Sequence, residues 1–140
     1  MRPRGFALRG ATYRFATEAG DLYVTVNRGA DGRPFEVFLR IGKSGSTLGS
    51  LAEAIGRLVS LALRSGVDPH EVVRQLKDIK SAPTRQPDGA VVASIPDAVA
   101  KAIEDFLSGG SPEAEPVKNQ QVKPPDKGSA LEGALFLPLG

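Results

Sequence analysis

The sequence predicts an α+β domain, in which a long helix and two further helices cover one face of a three-stranded antiparallel meander, followed by a disordered tail. Apolar residues alternate with polar ones in three short stretches between residues 11 and 41, which is typical of strands. Between residues 48 and 65 the apolar spacing becomes helical, and beyond residue 109 it gives way to proline, lysine, glutamate and glutamine. The 140 residues are enough for one domain.

The three strands are predicted from their alternation and from the turns between them. Residues 11–17 and 22–26 are separated by a turn at 18–21, and Asp31-Gly32 is a strong hairpin signal before residues 35–41. Short connections of this kind favour antiparallel neighbours. One face is apolar and is expected to be covered, whereas the mixed face, with Tyr23 and Phe38, is expected to stay uncovered.

A long helix is predicted over residues 48–65, with Ser50 and Glu53 as a capping box and Gly66 at its end. Leu58 lies in the middle of the apolar stripe and is predicted to be a fully buried core residue. The stripe consists of Leu51, Ile55, Leu58, Val59, Ala62 and Leu63.

Small residues also align along this helix. Gly49, Ala52 and Gly56 share one side. Because glycine within a helix costs about 1 kcal/mol relative to alanine, the seam indicates that another backbone comes close there. Glu53 and Arg57 are spaced for a favourable ion pair on the polar side.

The rest of the domain is predicted as two shorter helices separated by a loop. The second helix begins after Asp68 as N-cap, with Pro69 in its first turn. A loop follows over residues 80–90, and residues 91–92 are expected to add a very short strand. The third helix begins near Ile95, with Ser94 as its N-cap.

The ends of the chain differ in composition from the predicted domain at residues 10–108. Residues 1–9 form a basic arm expected to be flexible and solvated, with phosphate binding by Arg2, Arg4 and Arg9 as the alternative. Residues 109–140 are expected to be disordered. They end in an apolar segment, so Leu135, Phe136 and Leu137 are a candidate docking peptide, in cis or in trans.

Composition restricts the chemistry available to these residues. There is no cysteine, which excludes disulfides, thiolate metal sites and thiol catalysis, and a single histidine excludes a His-His metal site within one chain. No apolar run is long enough to cross a bilayer, and the first residues lack the apolar segment of a signal peptide. We expect a cytoplasmic protein with no cofactor and no metal.

The one motif that suggests an anion site is Gly42-Lys43-Ser44, directly after a strand. A phosphate loop needs a glycine five residues before Gly42, and Val37 stands there, within the predicted strand. A weaker interpretation remains, in which the start of the helix holds one anion; the alternative is an ordinary turn. The candidate anion or partner contacts are Lys43, Ser44, Ser46, Arg57 and Arg64.

Three stretches resemble the TSCPD domain, which is found near the C-terminus of adenosylcobalamin-dependent ribonucleotide reductases and in small stand-alone proteins. They are residues 32–38 (GRPFEVF), residues 42–45 with 56–69 (GKSG and GRLVSLALRSGVDP), and residues 94–102 (SIPDAVAKA). The last is similar to the signature Ser-Cys-Pro-Asp of the family, with Ile95 in place of its cysteine. The resemblance covers roughly residues 10 to 108.

The resemblance implies an association with ribonucleotide reduction and deoxyribonucleotide synthesis. It does not imply the reaction itself, because that chemistry needs a thiyl radical and a dithiol and this sequence has no cysteine. We therefore predict a non-catalytic accessory or regulatory module that binds a protein, with a ribonucleotide reductase as a candidate partner. One alternative is a small nucleic-acid-binding module that uses the basic N-terminal arm, and another is a subunit needed for catalysis in a split ribonucleotide reductase.

Overall fold

The computed structural model describes residues 1–42 and 45–109. Met1–Leu107 form one compact unit, and of a second unit, Ser108–Gly140, only residues 108 and 109 are described. Nearly all of the predicted tail, with the apolar segment at residues 135–137, lies outside the described residues.

The predicted meander is confirmed. Strands β1 (Gly10–Thr17), β2 (Gly20–Arg28) and β3 (Pro34–Ile41) form an antiparallel sheet in the order β1-β2-β3. Consecutive strands are neighbours because their connections are short, and a register shift after Asn27 precedes the longer turn into β3. Along β2, Leu22, Val24 and Val26 are fully buried, so its alternation marks the covered face as expected.

Three helices follow the sheet, as predicted: α1 (Thr47–Arg64), α2 (Pro69–Leu76) and α3 (Ile95–Leu107). Helix α3 packs against all three strands, α1 packs mainly against β3, and α2 packs against α3. The predicted short strand is present as β5 (Val91–Val92), paired antiparallel with β4 (Thr84–Arg85). The α+β class is therefore confirmed, with the core between the sheet and the helices.

The prediction that Leu58 is a fully buried core residue is wrong. Its side chain is 65% exposed, and Leu51, from the same predicted stripe, is 57% exposed. The residues of α1 that are buried are Ala52, Gly56, Val59 and Leu63. Apolar and small residues occupy a wide arc of this helix, and the sheet contacts the side with the small residues, where the backbones can approach most closely.

Two predicted helix boundaries also need correction. Helix α1 begins at Thr47 with Ser46 as its N-cap, whose hydroxyl accepts a hydrogen bond from the Gly49 N–H at 3.0 Å, so Ser50 and Glu53 do not form a capping box. Helix α2 ends at Leu76, and Ile79, which we expected on its buried side, is 44% exposed. The Asp68 cap and Pro69 at the start of α2 are as predicted.

Helix α1 lies directly against the outer edge of β3. A Cβ atom on Gly56 would stand 3.2 Å from the carbonyl oxygen of Val37, so only glycine fits at this distance without a shift of the strand. One turn further along, the Ser60 hydroxyl accepts from the Val37 N–H at 2.9 Å and donates to the Val37 carbonyl at 3.0 Å. The backbone approach predicted from the seam of small residues is therefore present.

The opposite edge of the sheet, on β1, is closed in a similar way. The side-chain carbonyl of Gln86 accepts from the Ala16 N–H at 2.8 Å, and its amide donates to the Ala16 carbonyl at 2.9 Å. Gln86 is itself buried. Each edge strand thus has one residue whose outward backbone groups are satisfied by a single polar side chain.

Candidate functional site

The most exposed apolar surface of a described helix is on α1. Leu51, Leu58 and Leu61 are 57%, 65% and 50% exposed, and Ala54 lies between them at helical spacing. We call Leu51, Ala54, Leu58 and Leu61 the leucine face. Their steps of three, four and three residues place all four on one side of the helix, largely turned away from its buried residues.

A groove of about 880 Å³ lies beside this helix, between α1 and β3. Two of the predicted partner contacts, Arg57 and Arg64, line this groove, and so does Leu61. The predicted ion pair is present: Arg57 Nη2 lies 2.7 Å from a Glu53 carboxylate oxygen, with both side chains mostly exposed. Such an exposed pair adds little stability.

Arg64 is more tightly held than a residue of a solvated helix face. Its guanidinium donates to the Arg2 carbonyl at 3.0 and 3.2 Å and lies 5.1 Å from the centre of the Phe35 ring. The Arg2 guanidinium also lies 5.1 Å from the centre of this ring, so two arginines make cation–π contacts with Phe35. Arg64 therefore fixes the N-terminal arm, whereas Arg57 is the accessible cation of the predicted pair.

Of the other three predicted anion contacts, the structure describes only Ser46, and Ser46 does not line the groove that contains Arg57 and Arg64. Lys43 and Ser44 lie outside the described residues, and Ser46 uses its hydroxyl to cap α1. Within residues 1–42 and 45–109, no cluster of three or more histidine, aspartate and glutamate side chains is placed to hold a metal ion. In the same part of the chain, no helix has the length and hydrophobicity needed to span a bilayer.

The arginines at the start of the chain contact acids of the domain rather than solvent alone. Arg4 forms a two-pronged ion pair with Glu36 at 2.9 and 3.1 Å, and Arg2 lies 3.0 Å from Asp31. Glu36, only 3% exposed, also accepts a hydrogen bond from the Asn27 amide at 2.7 Å. The hydrogen bond to Glu36 raises the pKa of Arg4. A fully solvated arm is thus not what the structure shows for these two residues.

The signature-like stretch at residues 94–97 begins α3 and contains a buried carboxylate. Ser94 caps the helix as predicted, since its hydroxyl accepts from the Asp97 N–H at 3.1 Å. Asp97, only 1% exposed, accepts from the Asp78 and Ala93 N–H groups and from Lys101 Nζ, each at 2.8 Å. Burial raises the pKa of Asp97, but these donors together bring it below its usual value.

Asp97 therefore holds three segments together and is not placed as an acid or base. It joins the segment that follows α2 and the residue that follows β5 to the first turn of α3. Asp78 has a φ angle of 64°, which is uncommon for a residue other than glycine, and its N–H is one of the groups that Asp97 binds. The local sequence explains only the favourable charge of Asp97 at a helix start, because the packing of Asp78 beside it has no local sequence signal.

Tyr13 is a partly buried titratable group whose pKa is strongly shifted by its surroundings. It lies on the covered face of β1 and packs against the core. Burial, followed by the nearby charge of Asp105, raises the pKa of Tyr13 well above its usual range. A phenol held neutral in this way is a core residue and not a base.

Comparison with known proteins assigns the family. The family model described as "TSCPD domain" matches residues 4–107. The chain belongs to the TSCPD domain family. The matched region coincides with the compact unit that carries the sheet, the three helices and the signature-like stretch.

The curated relatives are much longer proteins. The chain is 30% identical over 129 residues to the vitamin B12-dependent ribonucleotide reductase of Rhodopirellula baltica. This aligned region is 88% of the chain and 12% of that relative. The chain is 32% identical over 102 residues to the proteins of the same name from Streptantibioticus cattleyicolor and Streptomyces coelicolor, covering 70% of the chain and 17% and 10% of those relatives. No solved structure matches significantly. The chain is thus related to one segment of these reductases.

Proposed function

We propose that this TSCPD domain is a non-catalytic accessory or regulatory module that acts in the cytoplasm by binding a protein. The observation that carries the proposal is the leucine face of α1. Three leucines on one helix face, each at least half exposed, are unfavourable in water and are typical of a surface that another protein covers.

The geometry of the face favours a helix or a groove of the partner as its counterpart. From Leu51 to Leu61 the apolar residues extend over about 15 Å of helix, given a rise of 1.5 Å per residue. Anchors at i, i+3 and i+7 are those by which an amphipathic helix enters an apolar groove. Arg57 and Glu53 lie on the adjoining side of α1, where they are placed to form a polar rim around the leucine face. Together with Arg64 they line the groove between α1 and β3.

The family suggests which partner to test first. The relatives are named vitamin B12-dependent ribonucleotide reductases, so we propose such a reductase as the partner and deoxyribonucleotide synthesis as the process. The 140 residues contain no cysteine and supply no thiol to a reduction. A role in binding or regulation is consistent with both facts.

The test measures association of the purified chain with the vitamin B12-dependent ribonucleotide reductase of its source organism by biolayer interferometry. Leu58→Glu should weaken binding by about thirtyfold or more, the effect of losing one central anchor. Val91→Glu is the matched control, because Val91 is a 46% exposed apolar residue outside the leucine face and should change binding less than about twofold. Equal losses in both variants, or no complex with the wild-type chain, would refute the proposal.

The non-catalytic part has a separate test. The chain incubated with cobalamin, a dithiol and a ribonucleotide should form no deoxyribonucleotide. Product formation by the purified chain would contradict this part whatever the binding experiment gives.

We also propose that Leu135, Phe136 and Leu137 dock on the protein partner in trans. The proposal rests on sequence: large apolar residues follow about twenty-five residues without apolar periodicity, and a tether of that length raises the effective concentration of a second contact. Deletion of residues 130–140 should leave the thermal transition unchanged and weaken capture of the partner. A melting temperature lowered by several degrees would instead indicate docking in cis, and no change in either property would remove the proposal.

A further inference from the structure

The face of the sheet opposite the helices carries aromatic and basic side chains in an ordered array. The strand register places Arg14, Tyr23 and Arg40 side by side in one row across the three strands. Thr12, Thr25 and Phe38 form the neighbouring row. We call these six residues the open face.

The open face is accessible in the part of the chain that the structure describes. Phe38 is 54% exposed, which is unusual for a phenylalanine in a sheet, and Arg14 and Arg40 are exposed as well. The Arg40 guanidinium lies over the Tyr23 ring, 5.7 Å from its centre. Thr12 and Thr25 are joined through their hydroxyls at 2.8 Å, so the centre of the face is flat and polar.

The charge on this face is positive. Its cations are Arg14 and Arg40, and the Asp21 carboxylate lies 3.9 Å from Arg14. Glu36, at the other end of the sheet, is buried and compensated by Arg4. The open face therefore presents two arginines on either side of an aromatic ring, with one partly compensated by an exposed acid.

We propose that the open face binds single-stranded nucleic acid, with Phe38 and Tyr23 stacking on successive bases and Arg14 and Arg40 contacting phosphates. This activity is additional to the proposed protein binding, which uses the leucine face of α1, and does not depend on it, although Phe38 and Arg40 also line the groove beside that helix. It also differs from nucleic-acid binding by the N-terminal arm, since Arg2 and Arg4 of that arm are engaged by Asp31 and Glu36.

The chemistry of the face favours this ligand over an acidic protein. Phe38 lies diagonally across from Tyr23 in the register, and diagonal neighbours in an antiparallel sheet are about 7–8 Å apart. Each ring can therefore take its own base when the Arg40 guanidinium turns from the Tyr23 ring to a phosphate. An acidic surface would pair with the arginines but would gain little from two rings. A duplex hides the faces of its bases, whereas RNA-binding sheets stack unpaired bases on exposed aromatic residues.

The first test measures anisotropy of fluorescein-labelled twelve-nucleotide oligodeoxythymidylate and oligouridylate with the full chain at 50 mM salt. We expect a dissociation constant below about 100 μM for at least one of them, and weaker binding to a duplex of the same length. Phe38→Ala should weaken binding by about fivefold or more. Phe6→Ala is the matched control, because Phe6 is a fully exposed phenylalanine outside the open face, and it should change binding less than about twofold.

The second test uses the salt dependence. Arg14→Gln and Arg40→Gln should each lower the slope of log affinity against log salt by about 0.7, the value for one phosphate contact on a single strand. Arg74→Gln removes an exposed arginine of α2 that lies outside the open face and outside the groove beside α1, and it should leave the slope unchanged. Leu58→Glu should also leave affinity for the oligonucleotide unchanged, which separates this proposal from the protein-binding one.

A third readout reports stacking directly. The chain has two tyrosines and no tryptophan, so Tyr13→Phe leaves Tyr23 as the only strong intrinsic fluorophore. Addition of the oligonucleotide should quench its emission in that variant. Absence of binding, equal losses in the Phe38 and Phe6 variants, an unquenched Tyr23, or a polyglutamate peptide that binds as tightly as the oligonucleotide would each overturn the proposal.

Discussion

The sharpest test of the fold concerns Asp97, which accepts three hydrogen bonds inside the domain. In Asp97→Asn the side chain keeps its shape and one acceptor oxygen, but the new amide group faces a donor that the second carboxylate oxygen used to bind. At least one buried N–H, of Ala93 or Asp78, then loses its acceptor at a cost of about 1–3 kcal/mol. The remaining bond becomes neutral and loses about 1 kcal/mol more. Lys101 is partly exposed and turns to water.

The expected loss in the free energy of unfolding is therefore about 2–4 kcal/mol. Urea unfolding followed by far-ultraviolet circular dichroism would show it as a midpoint lower by about 1–2 M, given slopes of about 2 kcal/mol per molar for a small domain. Asp88→Asn is the control, because that exposed aspartate accepts only the Ala90 N–H and asparagine can accept it too. A loss below about 1 kcal/mol for Asp97→Asn would refute the reasoning.

The same residue predicts the response to acid. Because the pKa of Asp97 is lower in the folded than in the unfolded chain, its contribution to stability is present above the ordinary value of 3.8 and is lost as the pH falls below it. The wild-type chain should lose stability more steeply than Asp97→Asn between pH 4 and pH 2. Parallel curves for the two proteins would show that Asp97 does not supply this dependence.

Three further outcomes follow from the packing and are each measured by unfolding or titration. Leu58→Ala should lower the free energy of unfolding by less than about 1 kcal/mol, whereas Val59→Ala, at a buried position, should lower it by about 1.5–3 kcal/mol. The reverse order would mean that α1 packs on the core with its Leu58 side. Gly56→Val should cost at least about 1–3 kcal/mol, since even its Cβ is crowded by Val37, and an unchanged midpoint would contradict that contact. The pKa of Tyr13 is raised, so stability should fall as the pH rises above 10.0, and absorbance of a variant with only this tyrosine should show late ionisation.

Local sequence signals were sufficient for the strands and for most helix ends. One or a few neighbouring residues determine each of three features that the structure contains: the Asp31-Gly32 turn, the Asp68 cap and the Ser94 cap. Such features depend on the backbone groups of neighbouring residues. They could be predicted because their partners are close in sequence.

The orientation of α1 could not be predicted in the same way. Periodicity defines an apolar arc, but the centre of the buried part depends on which surface the helix meets. Gly56 and Ser60 contact the edge of β3, and this contact turns Leu58 toward solvent. The seam of small residues indicates the side of α1 that contacts the sheet, whereas the larger leucines by themselves favour the wrong side.

The candidate sites depended even more on long-range pairing. Arg4 and Glu36 are 32 positions apart, and nothing local predicts that they compensate each other. The array of the open face likewise requires the register of three strands, although Tyr23 and Phe38 were already assigned to the uncovered side. Burial, pairing and register are properties of the assembled sheet, so composition alone could not supply them.

The two side chains that close the sheet edges also limit how this domain can evolve and assemble. Ser60 must both donate and accept to satisfy Val37, and Gln86 must do the same for Ala16, so only a few residue types are tolerated at either position. With these groups occupied, another copy of the chain finds no free template for strand exchange at these two points. We therefore expect Ser60→Ala and Gln86→Leu to promote ordered aggregation on concentration before they abolish folding, which light scattering would detect.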